Sequence, residues 1–570
     1  MRSHDGHPAI RGVQVKRRSI FDGAMKGLGV LTAGLLLAGC AAGGGSVADP
    51  SGSGVPAAPG DRVDGGVIEY AHDQEPACLQ GGWTHNSFLA RQYLDSLVAE
   101  TEDHGVAPWL AESWAVSPDQ LVWTFELKSG VQFSDGTPFD AEAVRATFEY
   151  YRAPETSNGL FNSYLGEFFD HSEVVDPLTY RLHLKKPYSP LLSVLAQSAY
   201  GIQSPVALAR GPEANCSNPI GTGPFVIEKW DRGQSITFTK NEAYNSAPAT
   251  AKHQGPAYVD KLVWKFLKDN TVRFGSLTSG ESDAISAIPP GDWATAQDSY
   301  QILHNIVPGR GLSLTFNTSR APFDDERVRQ AFAYSADREN SVAAAFNGVL
   351  PYTGNGALSP SSPDFDESVA DAYPYDPDKA SKLLDEAGWT EKNADGFRTK
   401  DGQELGVDIV YPAGAIVSSE GQTVLQNVQE QAKSVGFAVN LVPVTQSDFF
   451  AGKIASPDAY DIYVVYWSSP TPAVMYLNFR QDLPDRPTPH NNAYYNDPEL
   501  ESILAEAIAT TDPEVQAKLY SQAQQIVSDK AVAVGMYPQD LSLAVDPALH
   551  DVWIAGGVGE PVFHDAYFVE

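Results

Sequence analysis

The chain has 570 residues, with 39 basic against 72 acidic side chains and a net charge of −33 at pH 7. That length exceeds what one hydrophobic core supports and calls for about two to four lobes. The acidic balance repels polyanions, which sets nucleic-acid binding aside as an activity, and 42% hydrophobic and 11% aromatic residues suit a globular body.

Lys16, Arg17 and Arg18 precede an apolar stretch, Leu28 to Ala38, that ends in Leu37-Ala38-Gly39-Cys40. A membrane-spanning helix needs ~20 apolar residues, so this stretch reads as a cleaved signal over residues 1–39. Small residues before a cysteine resemble a bacterial lipoprotein signal, with Cys40 the expected lipidation site. Arg17-Arg18-Ser19-Ile20-Phe21 also fits a twin-arginine signal, so the export route stays open. Residues 40–63 are rich in Gly, Ala, Ser and Pro and read as a flexible tether. The segment 1–39 holds six basic and two acidic side chains, so the remainder is more acidic than the whole. Two further cysteines, Cys78 and Cys216, form an even pair in an exported chain and are expected to make a disulfide.

The first clear strand alternates Leu121, Trp123, Phe125 and Leu127 with more polar neighbours. A turn at Ser134-Asp135-Gly136-Thr137-Pro138 follows, and Asp140 is placed to cap a helix with Val144, Phe148 and Tyr151 on its apolar face. Tyr180, Leu182 and Leu184 alternate again, as do Leu262, Trp264 and Phe266. A helix is predicted from Asp324 or Asp325 through Val328, Phe332 and Ser335. Asp376-Pro377 supplies a cap and a first-turn proline, Ala380, Leu383, Leu384 and Ala387 a buried stripe, and Gly388 a stop. Strands are predicted around Val407, Ile409 and Tyr411, around Val439, Leu441 and Pro443, and through Ile462–Trp467, a run apolar enough to be covered on both faces. The order is mixed α/β with no internal repeat.

Catalytic and metal motifs are absent from the sequence. There is no Gly-x-Ser-x-Gly elbow, Ser-x-x-Lys pair, His-Glu-x-x-His helix or Cys-x-x-Cys knuckle. Gly221-Thr222-Gly223-Pro224 lacks the Gly-Lys-Ser/Thr of a phosphate loop, and Pro224 lacks a backbone donor. The twelve histidines do not fall at metal-ligand spacing. The expectation is a non-enzymatic protein with no cofactor and no metal.

Four blocks in order resemble the peptide/nickel/opine class of extracytoplasmic solute-binding proteins that serve ABC importers. They are Leu110-Ala111-Glu112-Ser113-Trp114 running through Gly130 to Phe139; Asn218-Pro219-Ile220-Gly221-Thr222-Gly223-Pro224-Phe225; Leu314–Asn317 with Pro322 to Ala331; and Tyr375-Asp376-Pro377 to Trp389. The resemblance implies a type II periplasmic-binding-protein fold, α/β, with three lobes. Lobe I would be discontinuous (64–97, 206–308 and 536–570), lobe II would span 98–205 and lobe III 309–535, with the ligand cleft between lobes I and III. It implies delivery of a peptide or peptide-like solute to permease subunits; with Cys40 lipidated, the expected place is the outer face of the cell membrane, and monomer is the default state for a part that docks one permease.

Matching positions nominate Trp83, Phe161, Asn162, Gln446, Trp467, Ser468, Ser469 and Tyr537 as ligand-lining residues. One departure stands out. Peptide-binding members place a carboxylate just after a lobe III tryptophan, but no acidic residue follows Trp467 until Asp482. A buried ammonium without a countercharge is costly. This keeps a blocked peptide, oligosaccharide, opine or metal chelate open as the solute, or requires a carboxylate from elsewhere, such as Glu75. An extracytoplasmic hydrolase and a partner of a membrane sensor are the competing functions.

Overall fold

The computed structural model describes residues 61–569, apart from 83–86, 155, 157–158, 415, 446–447, 450–451, 455, 484–489 and 557–558. Cys40, Trp83 and Gln446 lie outside the described residues. Among those described, no helix is long and apolar enough to cross a membrane.

Three sheets organise the body. A seven-stranded sheet runs in the order Gln301–Ile306, Asp540–Val545, Ala284–Ser286, Val67–His72, Lys261–Phe266, Ser235–Lys240 and Phe225–Asp231. Within it, Val67–His72 is parallel to both Lys261–Phe266 and Ala284–Ser286. A five-stranded sheet runs Ala438–Val444, Gly406–Pro412, Ile462–Ser468, Gly309–Phe316 and Ala533–Tyr537, with the first three parallel. The third sheet is antiparallel and four-stranded, from Ala111–Val116 to Phe169–Asp176, and its chain segment lies between Val67–His72 and Phe225–Asp231 of the seven-stranded sheet.

The local signals act as their chemistry dictates. In Val122–Leu127, Trp123, Phe125 and Leu127 are buried. Asp140, Asp325 and Asp376 accept backbone N–H groups of Ala143, Arg327 and Lys379 and cap the helices Ala141–Arg152, Glu326–Tyr334 and Pro377–Glu386. Ile462–Ser468 differs from the expectation of full burial: its first four residues are buried and Tyr466, Trp467 and Ser468 only half so. At that end the strand keeps its pairing with Gly309–Phe316 but has left Gly406–Pro412, which pairs only with Ile462 and Tyr463.

The Gly221-Thr222-Gly223 segment is a packing device. A Cβ on Gly221 would lie 2.0 Å from the Tyr93 carbonyl oxygen, and one on Gly223 2.5 Å from the Tyr93 carbonyl carbon. With no side chains there, Thr222 reaches inward and donates to Asp95 Oδ2 at 3.0 Å, beside Ser246 Oγ at 2.7 Å. Asp95 is fully buried. Burial pushes its carboxyl up from 3.8 to about 6, against the pull of the Ser246 and Thr222 hydroxyls. A raised folded pKa favours the fold below the unfolded value, and that contribution is lost as pH rises through about 6. At pH 7.5 the buried charge then costs up to about 3 kcal/mol, at 1.36 kcal/mol per pKa unit. Asp95→Asn is expected to raise stability at pH 7.5 by ~1–3 kcal/mol, and by less at pH 5. Urea melts at the two pH values check this, and a less stable variant at pH 7.5 would contradict it.

Candidate ligand-binding crevice

The chain passes between the seven- and five-stranded sheets twice, at residues 307–308 and 538–539. The crossings lie side by side: Val307 N donates to Gln539 O at 2.9 Å, Ile306 pairs with Asp540, and Leu312 pairs with Tyr537. Both sit at the carboxyl ends of the parallel strands, since Gly309 pairs with Ser468 and Leu543 with Ser286. Loops at such strand ends carry no ladder obligations and are free to line a crevice, which is where open α/β sheets bind ligands. The two sheets are thus joined by two short crossings at these strand ends.

The expected lining residues separate by this geometry. Trp467 is half-buried at the end of its strand, and its indole Nε1 donates to the Tyr164 hydroxyl at 2.6 Å, joining the five-stranded sheet to the 98–205 region. Ser468 Oγ donates to Gln539 Oε1 at 2.6 Å and so touches the crossing, while Ser469 N donates to Pro308 O at 3.0 Å. Tyr537 ends its strand at the second crossing, its ring 4.6 Å from Phe346. Phe161 stands apart. It is fully buried, edge-on to Phe169 at 5.3 Å and 6.1 Å from Phe148, so its ring fills the core beside the four-stranded sheet. Asn162 is exposed and its Nδ2 donates to Arg152 O at 3.2 Å within the same region. Glu75 already accepts Trp230 Nε1 at 3.1 Å and Gly233 N at 3.0 Å.

Several crevice residues escaped the sequence reading. His490 stacks edge-on against Trp467 at 4.7 Å and shares a 2.9 Å hydrogen bond with Ser163 Oγ. Burial, then Arg480, lowers its pKa to about 4, so its ring is neutral at physiological pH. Tyr466 precedes Trp467, and burial, then Asp73, pushes its hydroxyl up to about 12, against the pull of Gln539. Asp73 follows the strand Val67–His72 directly. Of these, Asp73 alone carried a usable signal, its position one residue past a parallel strand; Tyr466 lies inside its strand and His490 in a turn beyond the helix Val474–Phe479.

One group outside the crevice has metal-ligand chemistry. His253, His564 and Asp565 place ligand atoms within 4.8 Å of one another. The two imidazoles, however, are stacked at 4.1 Å and only 10° apart, so their lone pairs run side by side and do not converge on one ion. His253 Nδ1 lies 2.7 Å from Asp565 Oδ1, and the Nε2 atoms of His253 and His564 face the carbonyls of Pro256 and Gly255 at 3.0 and 2.8 Å. Trp553 Nε1 donates to Asp565 Oδ2 at 2.8 Å. The cluster is a hydrogen-bonded clamp on the C-terminal segment.

Two α/β sheets joined by a double crossing match the periplasmic-binding-protein fold. The chain belongs to the bacterial extracellular solute-binding proteins, family 5, whose profile matches residues 105–482. It is 30% identical over 487 residues to the glutathione-binding protein GsiB of Salmonella paratyphi A, covering 84% of this chain and 89% of that one. Two solved structures share the fold. The oligopeptide-binding protein AppA of Bacillus subtilis, in complex with a nonapeptide, aligns with a TM-score of 0.76 at 21% identity, over 90% of this chain and 100% of that one. NikA of Brucella suis, in complex with Fe(III)-EDTA, aligns with a TM-score of 0.74 at 24% identity, over 87% of this chain and 99% of that one. The family serves ABC importers, and the chain is an extracytoplasmic binding protein, not an enzyme.

Proposed function

We propose that this protein captures a peptide or peptide-like solute between its two large sheets and delivers it to an ABC permease while held to the membrane by lipid on Cys40. The observation that carries this reading is the double crossing at residues 307–308 and 538–539, which joins two facing sets of strand ends by a short hinge. Closure about a hinge is a two-state motion that reports occupancy to a partner. Lobe I is then 64–97, 206–308 and 536–570, lobe II 98–205 and lobe III 309–535, and Trp83, Gln446, Trp467, Ser468, Ser469 and Tyr537 are the proposed ligand-lining residues. The peptide-like class is favoured by the relative named for glutathione. Cys78 and Cys216 form a disulfide in this reading, their Cα atoms being 4.8 Å apart, within the range such a bond spans.

Native mass spectrometry of the protein as purified tests the proposal, with a bound mass in the peptide range expected. Thermal melting with a peptide panel that includes glutathione extends it: a ligand at 100 times its Kd stabilises by about 2.7 kcal/mol. No retained mass and no shift with any peptide would sink the reading.

A further inference from the structure

Trp467, Ser468 and Ser469 form one proposed wall of the crevice, and each spends its side-chain proton on the protein. The Trp467 indole gives its single N–H to the Tyr164 hydroxyl at 2.6 Å, Ser468 Oγ donates to Gln539 Oε1 at 2.6 Å, and Ser469 Oγ donates to Thr471 O at 3.0 Å. Trp467 and Ser468 are half-buried, so both keep surface that a solute can reach, whereas Ser469 is buried. What this wall offers is therefore an indole ring and oxygen lone pairs, with no side-chain donor.

The groups that hold the indole come from another part of the chain. Tyr164 ends the short helix Leu160–Tyr164, is buried, and sets its ring 6.4 Å from that of Trp467. Its neighbour Ser163 holds His490, which stands edge-on to Trp467 at 4.7 Å. Counting protons fixes the tautomer. Ser163 Oγ has one proton and donates it to Gly159 O at 3.0 Å, so it accepts from His490 Nε2 at 2.9 Å. Burial, then Arg480, holds the His490 pKa at about 4, so this ring brings no charge to the wall at physiological pH.

A wall without donors and without charge recognises shape and apolar surface. A carbonyl or hydroxyl oxygen pressed against it leaves water and finds no side-chain N–H or O–H in exchange. An aromatic ring loses nothing there and gains contact with the indole. An indole fixed before the solute arrives also binds more tightly than one the solute must order.

We infer that Tyr164 and Ser163 are positioning residues: by holding the Trp467 indole and His490, they make this wall a subsite for an aromatic or other flat apolar side chain of the solute. This rests on the peptide-like reading above and specifies it. Neither residue has to touch the solute. They follow directly on Phe161 and Asn162, whose own side chains are engaged within the 98–205 region.

Two measurements on the full chain test this. The indole N–H signals of the ten tryptophans are resolved by NMR, and that of Trp467 is the one lost in Trp467→Phe. Tyr164→Phe should move that signal upfield, as loss of its hydrogen bond requires. Calorimetry then uses trialanine with one residue replaced by phenylalanine or by serine, at each position in turn. The wild type is expected to prefer phenylalanine at one position by about tenfold or more. Tyr164→Phe and Ser163→Ala should each cut that preference to about threefold or less and leave the other positions alone. A tyrosine or serine with a merely structural role would move the melting temperature and spare the preference. Should Tyr164→Phe fail to fold, Ser163→Ala, which keeps the Tyr164 hydroxyl, carries the test. An indole signal that stays in place, no preference at any position, or a preference unchanged in the variants would overturn the subsite and leave peptide capture standing. Failure of every peptide to bind the wild type would overturn peptide capture and the subsite with it.

Discussion

Gly309→Ala is expected to lower stability by about 3–5 kcal/mol and to abolish high-affinity ligand binding. Gly309 begins the first strand past the hinge at φ +112, a conformation that costs residues with a Cβ roughly 1–2 kcal/mol or more. Space makes matters worse. An added Cβ would lie 2.2 Å from the Trp467 carbonyl oxygen and 2.5 Å from the Ser469 nitrogen, both backbone atoms that no side-chain rotation can move. The strand must separate from Ile462–Ser468 at the Gly309–Ser468 pair, at about 1 kcal/mol for each hydrogen bond lost. Because Trp467 and Ser468 sit at that pair, the same displacement moves the crevice wall. Urea unfolding gives the stability and calorimetry the affinity; an unchanged midpoint with intact binding would contradict the placement of the hinge.

Asp565→Ala is expected to cost about 4 kcal/mol at neutral pH. Asp565 is completely buried and accepts from Trp553 Nε1, His253 Nδ1, the His253 amide and the Lys252 amide at 2.7–3.2 Å. Removing the carboxylate strands buried donors at about 1–3 kcal/mol each, partly relieved by water. The pH dependence has a definite sign. Burial alone would raise the Asp565 pKa, but the His564 and His253 rings and the Lys252 amide outweigh it and hold the carboxyl well below the usual range. A depressed folded pKa contributes stability that is present above the unfolded value near 4 and lost as pH falls through the folded one. The wild type should therefore lose melting temperature on acidification below about pH 4 more steeply than Asp565→Asn. Identical acid limbs in the two proteins would refute the clamp.

What was legible in the sequence follows from range of interaction. Caps such as Asp140, Asp325 and Asp376 act within three residues, and strands such as Val122–Leu127 declare themselves by alternation, so these elements were readable locally. The half-exposed end of Ile462–Ser468 was not, because composition cannot tell where a strand loses its neighbour on one side. Phe161 shows the same limit: an aromatic residue beside polar ones reads alike in a cleft and in a core. His253 and His564 meet across more than three hundred residues, so no spacing rule could have joined them. Gly421 was invisible for a simpler reason. A Cβ on it would lie 2.1 Å from the Tyr537 hydroxyl oxygen, so its role is the room it leaves, and only coordinates show room.

The two ends of the described chain meet. Arg62 and Val63 pair antiparallel with Val569 and Phe568, and Arg62 lies over the Tyr258 ring at 4.1 Å. A pull on the chain ahead of Asp61 is therefore taken up by the last strand and by the loop at Tyr258, and no part of that force path runs through residues 307–308 or 538–539. The load stays on one side of the molecule. In the proposed capture motion the opposite half would swing without doing work against the attachment, so a protein held by that end would open and close as freely as one in solution.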